Sequence, residues 1–315
     1  WVLLLLLLLS PALLVGTSVA LSEITFTFFL LAALSLLLRG RAPGAGLCLS
    51  AATMIRPAGI YLFVPLGLWL LWRQRKTVPV LMFIAAANIL PLGWSWRNYV
   101  VTGYFTFTTM DGYYMLYYKA GGYLSWKENI PFPVMCDRLA AQLTATQPIE
   151  RSREAYRLGR RLVGSEPLPF AGWVVRDLPR FLMPDISPLL ERLGWVSGNR
   201  GTLDVLRRQG IVAAGRHYFS GRPEAAALAV LYTVFYGFTW LLLPFGIWYF
   251  HCRRRYDILF LAGLCLGYFW LLPAGNLDWR FRIPVIPLLL LFFTAGAAWL
   301  GRRRRCPRVS GGTTV

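Results

Sequence analysis

In the run Asp278-Trp279-Arg280-Phe281-Arg282-Ile283-Pro284, an acid and two guanidinium groups occupy alternate positions just ahead of the last apolar stretch of the chain. Alternate residues of an extended segment face the same way, so an extended turn here would aim Arg280 and Arg282 at one point. Guanidinium forks match phosphate oxygens bidentately, and an anionic ligand is the chemistry this spacing favours. Contact with a lipid headgroup, or an ion pair with Asp278, satisfies the same charges more simply.

Three other places put polar groups at the ends of apolar runs, where burying them is costly and a purpose is plausible. Glu23 follows Ser22 at the start of a run. There it serves either as a carboxylate favoured by the helix dipole or as a wall of an external polar cavity. Arg56, ahead of Pro57, either snorkels to the interface or holds a lipid phosphate. Arg97 and Asn98 follow Trp94 and Trp96, an aromatic belt with a polar edge that positions first and contacts ligand second.

The elements that must carry these groups are membrane helices. Apolar residues make up 57% of the 315 residues, and several uninterrupted stretches approach the roughly 20 residues that a span needs. The reading is an all-α polytopic membrane protein with about eight transmembrane helices. They fall near residues 1–16, 22–38, 43–55, 58–72, 78–96, 225–250, 257–273 and 283–300. Residues 43–72 are split in two because a single helix would leave Arg56 near the bilayer centre. The chain opens at Trp1 inside a Leu-rich run with no basic flank, so residues 1–16 read as a truncated span of a longer protein rather than a secretory signal.

Basic clusters fix the topology. Arg39 with Arg41, Arg73 with Arg75 and Lys76, Arg253 to Arg255, and Arg302 to Arg305 can all lie on the cytoplasmic side. The chain then divides into transmembrane helices over residues 1–98, an external segment over 99–223, further transmembrane helices over 224–301, and a basic cytoplasmic tail over 302–315. Catalysis would face the periplasm or exterior. The net charge of +19 is explained by insertion and anionic lipids, and nucleic acid is excluded as a partner. Within the external segment, residues 99–123 lack a helical period and predict extended or irregular chain. A helix is expected to start near Pro148 to Glu150, and an interfacial helix to occupy residues 167–183.

On this topology Cys252 and Cys306 are cytoplasmic and only Cys136 is external, leaving no disulfide outside. His217 and His251 are far apart, so no metal site is expected. The absence of a phosphate-cradling Gly loop removes support for nucleotide-dependent chemistry, and no cofactor is implied.

Four short motifs together resemble the GT-C superfamily of membrane glycosyltransferases, specifically bacterial relatives of protein mannosyltransferases and aminoarabinose transferases. They are Leu21-Ser22-Glu23 opening a span, AATMIRP over residues 51–57, Trp96-Arg97-Asn98-Tyr99 with Gly103 beyond, and Arg280-Phe281-Arg282-Ile283-Pro284 with Pro287. The resemblance implies transfer of a sugar from a polyprenyl-phosphate donor to a hydroxyl acceptor on a lipid, polysaccharide or protein. It also implies a catalytic Asp in an external loop that falls upstream of Trp1, so Glu23, Asp111 and Asp278 do not take that role and the fragment is expected to be inactive. A transporter or flippase for an anionic lipid-linked substrate, or a scaffold binding anionic lipid, is the competing class.

Overall fold

The computed structural model describes residues 22–176, 178, 181, 186–196, 202–219, 221–273 and 279–301. The span expected at residues 1–16, Asp278 and the tail at 302–315 lie outside them. Every regular element among the described residues is helical.

The helices begin and end where local chemistry dictates. α1 (Ser22–Leu38) stops at Gly40, whose φ of +74° suits a residue without Cβ. The Arg41 N–H then reaches the Leu36 carbonyl at 2.9 Å and the Gly40 N–H reaches Leu37 at 3.0 Å, a Schellman closure. Pro43 in the first turn starts α2 (Ala42–Ile55). Pro57 forces Arg56 into extended backbone and ends it. A 3₁₀ turn at Pro57–Gly59 leads to α3 (Phe63–Gln74), and α4 runs from Thr77 to Thr102, where Gly103 closes it with φ +76°. The break at Arg56 is therefore real.

The segment between α4 and Pro148 differs from the sequence expectation. Residues 99–123 were expected to be extended or irregular, yet they hold the end of α4, a short α5 (Met110–Tyr113), a π-helix (Tyr114–Gly121) and the start of α6 (Gly122–Glu128). Tertiary packing overrides the aromatic-rich local pattern here. A Cβ on Gly112 would overlap the Ser152 carbonyl, and one on Gly159 would sit 2.7 Å from the Met115 carbonyl. Only glycine lets this stretch rest on α8 (Pro148–Gly164), and α7 (Phe132–Ala140) closes the cluster through Met135 and Leu139. The start of α8 at Pro148 and the helix α9 (Pro167–Arg176) agree with expectation.

After α10 (Ser187–Arg192) and α11 (Thr202–Tyr218), α12 (Pro223–Trp240) and α13 (Leu243–Cys252) are separated by a turn at Leu241 and Leu242. α14 (Tyr256–Leu271), a 3₁₀ helix (Trp279–Val285) and α15 (Ile286–Gly301) complete the described chain.

Among the described residues, three stretches are long and apolar enough to cross a membrane: Thr77–Thr102, Pro223–Cys252 and Arg280–Gly301. Ser22–Leu38, Ala42–Ile55 and Tyr256–Leu271 are apolar but shorter. At about 1.5 Å per residue, the 12 residues of α3 reach only about 18 Å. α4 exposes Val78, Leu81, Ile89 and Leu92, a surface that suits lipid better than water.

The chain forms two compact units, one of Thr25–Met183 with Gly263–Pro284 and one of Trp1–Ile24, Pro184–Ala262 and Val285–Val315. In the larger, α2 and α4 run parallel and touch. A Cβ on Gly46 would lie 2.5 Å from the Phe83 carbonyl, and the Ser50 hydroxyl accepts the Leu90 N–H at 3.1 Å. In the smaller, α13 and α15 are equally close, since Cβ atoms on Gly246 and Gly296 would overlap the carbonyls of Phe292 and Leu242. Small residues permit such approach in membrane helices.

Gly46→Ala is therefore expected to lower thermal stability by about 1–3 kcal/mol through overpacking. Gly93→Ala, which meets nothing within 4 Å in the same α4, should be neutral or slightly stabilising in the same melting experiment.

Candidate functional site

The larger unit has two chemically distinct ends. At one end Arg73 donates to the Leu37 carbonyl at 2.9 Å, and a Cβ on Gly40 would stand 3.7 Å from the Gln74 amide nitrogen. This brings the first two basic clusters together, bonded to the carbonyls that α1 leaves exposed.

At the other end lies the Arg56 turn. The Arg56 N–H closes α2 on the Ala52 carbonyl at 2.9 Å, and the Gly59 N–H bonds the Arg56 carbonyl at 3.1 Å. Gly59 fits only because it lacks a Cβ, which would stand 2.7 Å from the Thr53 hydroxyl and 3.2 Å from the Phe26 ring. Phe26 packs edge-on against Phe269 at 5.9 Å, and the Tyr268 hydroxyl donates to the Ala58 carbonyl at 2.6 Å. The C-terminal turn of α14, which leads toward Arg280 and Arg282, is thus tied to the turn that carries Arg56.

Arg280 and Arg282 do not share a face. The expected extended turn is a 3₁₀ helix over Trp279–Val285, and at three residues per turn positions two apart diverge by about 120°. Pro284 and the fully buried Ile283 hold this geometry. Arg280 is accordingly exposed and Arg282 half-buried. Each of Glu23, Arg56, Arg280 and Arg282 already carries an interaction within the chain. Glu23 is only 2% exposed at the start of α1, with the Ser22 hydroxyl 3.5 Å from its carboxylate.

Arg97 and Asn98 act as positioning groups. Arg97 lies 5.1 Å over the Trp94 ring and donates to Asn98 Oδ1 at 3.1 Å. Asn98 Nδ2 in turn donates to the Thr106 carbonyl at 2.9 Å, fixing the path by which the chain leaves α4.

Sequence reasoning missed the groups that gather above the Arg56 turn. Asp111 and Tyr156 are close enough to Tyr61 to act on it electrostatically. Although Asp111 is exposed on one side, the protein packed around it raises its carboxyl above the ordinary range, and Lys119 opposes the rise. Lys119 is itself lowered by burial and partly restored by Asp111. An acid alone in a Tyr-rich run was the available signal. Among the described residues no group of three His, Cys, Asp or Glu side chains could hold a metal ion.

Glu166 ties the chain ahead of α9 to α6. Its carboxylate accepts from the Tyr123 hydroxyl at 2.6 Å and from Lys127, while Tyr123 packs on Trp173 and Phe170. Burial and the Glu166 carboxylate push the Tyr123 hydroxyl up to about 12.

Comparison with protein-family models, with characterised proteins and with solved structures finds no match to this chain.

The hydrogen bonds from Lys127 and Tyr123 hold Glu166 below its ordinary value of 4.5. A depressed folded-state value means stability that is present above about pH 4.5 and lost as pH falls through the folded value. Thermal melting of the protein and of Glu166→Gln should differ at pH 7 and converge as the solution is acidified below that point.

Proposed function

We propose that this chain belongs to a membrane glycosyltransferase that moves a sugar from a polyprenyl-phosphate donor to a hydroxyl acceptor of a lipid, polysaccharide or protein on the external face. The observation that supports it most is the polarity of the larger unit. Two basic clusters occupy one end, and the Arg56 turn with its bond from Tyr268 to Ala58 occupies the other. In this reading the basic end is cytoplasmic, the chain crosses about eight times, and the short apolar helices count as spans.

The chemistry follows from where the donor must sit. A lipid-linked phosphate stays at the interface, so cationic groups there can stabilise its charge as it departs. The acceptor oxygen attacks the anomeric carbon, the bond from that carbon to the phosphate oxygen breaks, and the acceptor proton passes to a carboxylate base. No residue of this chain is assigned as that base. Arg282, half-buried, grips the phosphate, and Arg56 adds a second positive charge at the same end of the unit. Arg280, exposed, meets the same charge from the solvent side together with anionic headgroups. Arg97 and Asn98 set the edge of the site.

A transporter or flippase is the competing reading, favoured by the breaks at Arg56 and at Leu241 and Leu242, since interrupted helices suit alternating access. Turnover separates the two. In the full-length protein, Arg282→Ala should lower sugar transfer by about 10²–10³ with normal expression. Arg280→Ala should cost about tenfold, the loss of one exposed charge-assisted hydrogen bond. Unchanged transfer in both variants would remove the phosphate contact, and carrier translocation without any transfer would favour the flippase.

A further inference from the structure

A cavity of about 490 Å³ opens between α5, the π-helix, α7 and the first turn of α8. Its size falls within the range of about 300–1,000 Å³ that small-molecule pockets occupy. All of it lies in the external segment, apart from the arginines assigned to phosphate. Tyr113 and Tyr117 form one wall, their rings 4.9 Å apart and inclined at 55°. They stand four residues apart where α5 passes into the π-helix, and π-turns recur at functional positions. Tyr113 stays 45% exposed although the cavity could shelter it.

The remaining walls are mostly apolar, from Met110, Ala140, Leu143, Pro148 and Ala155, with a few polar groups set among them. Asp137 on α7 and Arg151 and Ser152 on α8 line the space, with Thr109 at its rim. Arg151 uses one N–H on the Ala145 carbonyl at 3.3 Å, which leaves further donors on its guanidinium. Ser152 donates its proton to the Thr109 carbonyl at 2.6 Å, so its oxygen keeps acceptor capacity. Asp137 has no ion-pair partner among the described residues. The cavity therefore offers two tyrosine side chains and an apolar lining, with one carboxylate acceptor and one guanidinium donor.

That set fits neither a phosphate, which would meet Asp137, nor a purely apolar ligand, which would strand Asp137 and Arg151 away from water. The geometry points to a binding groove for a neutral pyranoside. Its C–H face lies on Tyr113 and Tyr117, and its hydroxyls bridge Asp137 and Arg151. As the subsite for a saccharide acceptor this rests on the transferase reading above. As a sugar-binding groove it does not.

Saturation-transfer NMR on the detergent-solubilised chain tests it with no donor present, using the methyl pyranosides of glucose, mannose, galactose and N-acetylglucosamine. Saturation should reach the ring C–H protons of at least one of them. Binding should weaken about fivefold in Tyr113→Ala, on the scale of one lost ring contact. It should also weaken in Asp137→Asn and survive in Tyr113→Phe. The unchanged melting temperature expected of these exposed positions separates lost binding from lost fold. Transfer to none of the four sugars overturns the inference. So does equal transfer to cyclohexanol, or binding indifferent to both Tyr113→Ala and Asp137→Asn. Because no turnover is read, carrier translocation without any sugar transfer would sink the enzyme assignment and leave this groove untouched.

Discussion

Where no water is present to press apolar surfaces together, helices are held by close packing, and in this chain missing Cβ atoms set how close they come. Gly46 lets α2 and α4 touch in the larger unit, and Gly246 with Gly296 does the same for α13 and α15 in the smaller. Outside the apolar helices, Gly112 and Gly159 repeat the device, seating α5 and the π-helix on α8. Each site forces two backbones into contact along a fixed line. The polar groups at the ends of those helices inherit their positions from it.

The consequence for function is an ordered distribution of charge. The parallel course of α2 and α4 puts the basic clusters around Arg41 and Lys76 at one end, where Arg73 caps α1. It delivers Arg56 and the exit at Asn98 to the opposite end. Tyr268 then ties α14 to the Arg56 turn.

Much of this was legible in the sequence because it is written in residues with one strong local effect. Pro57 and Pro148 end or start helices by backbone chemistry alone, and those two boundaries agree with the structure, whereas α4 runs on to Thr102, past the span expected at 78–96. The course of residues 99–123 was not legible, because an aromatic-rich stretch has no helical period until Gly112 and Gly159 seat it on α8. The arginine pair misled for a related reason. Alternate spacing implies one face only in extended backbone, and the 3₁₀ turn ending at Pro284 and Val285 rotates Arg282 away from Arg280. The link from Tyr123 to Glu166 spans 43 residues, and no local pattern announces it. The cavity beside Tyr113 was equally hidden, since its walls come from four separate helices.

Thiol labelling from either side of sealed vesicles bears most directly on all of this. Arg280→Cys and, separately, Arg254→Cys would be placed in a background with Cys48, Cys136, Cys252, Cys265 and Cys306 replaced, and exposed to a membrane-impermeant maleimide. Position 280 should react from the external side alone and be shielded by added polyprenyl phosphate, while position 254 reacts from the cytoplasmic side alone. Reaction of position 280 from the cytoplasmic side would contradict both the topology and the phosphate contact built on it.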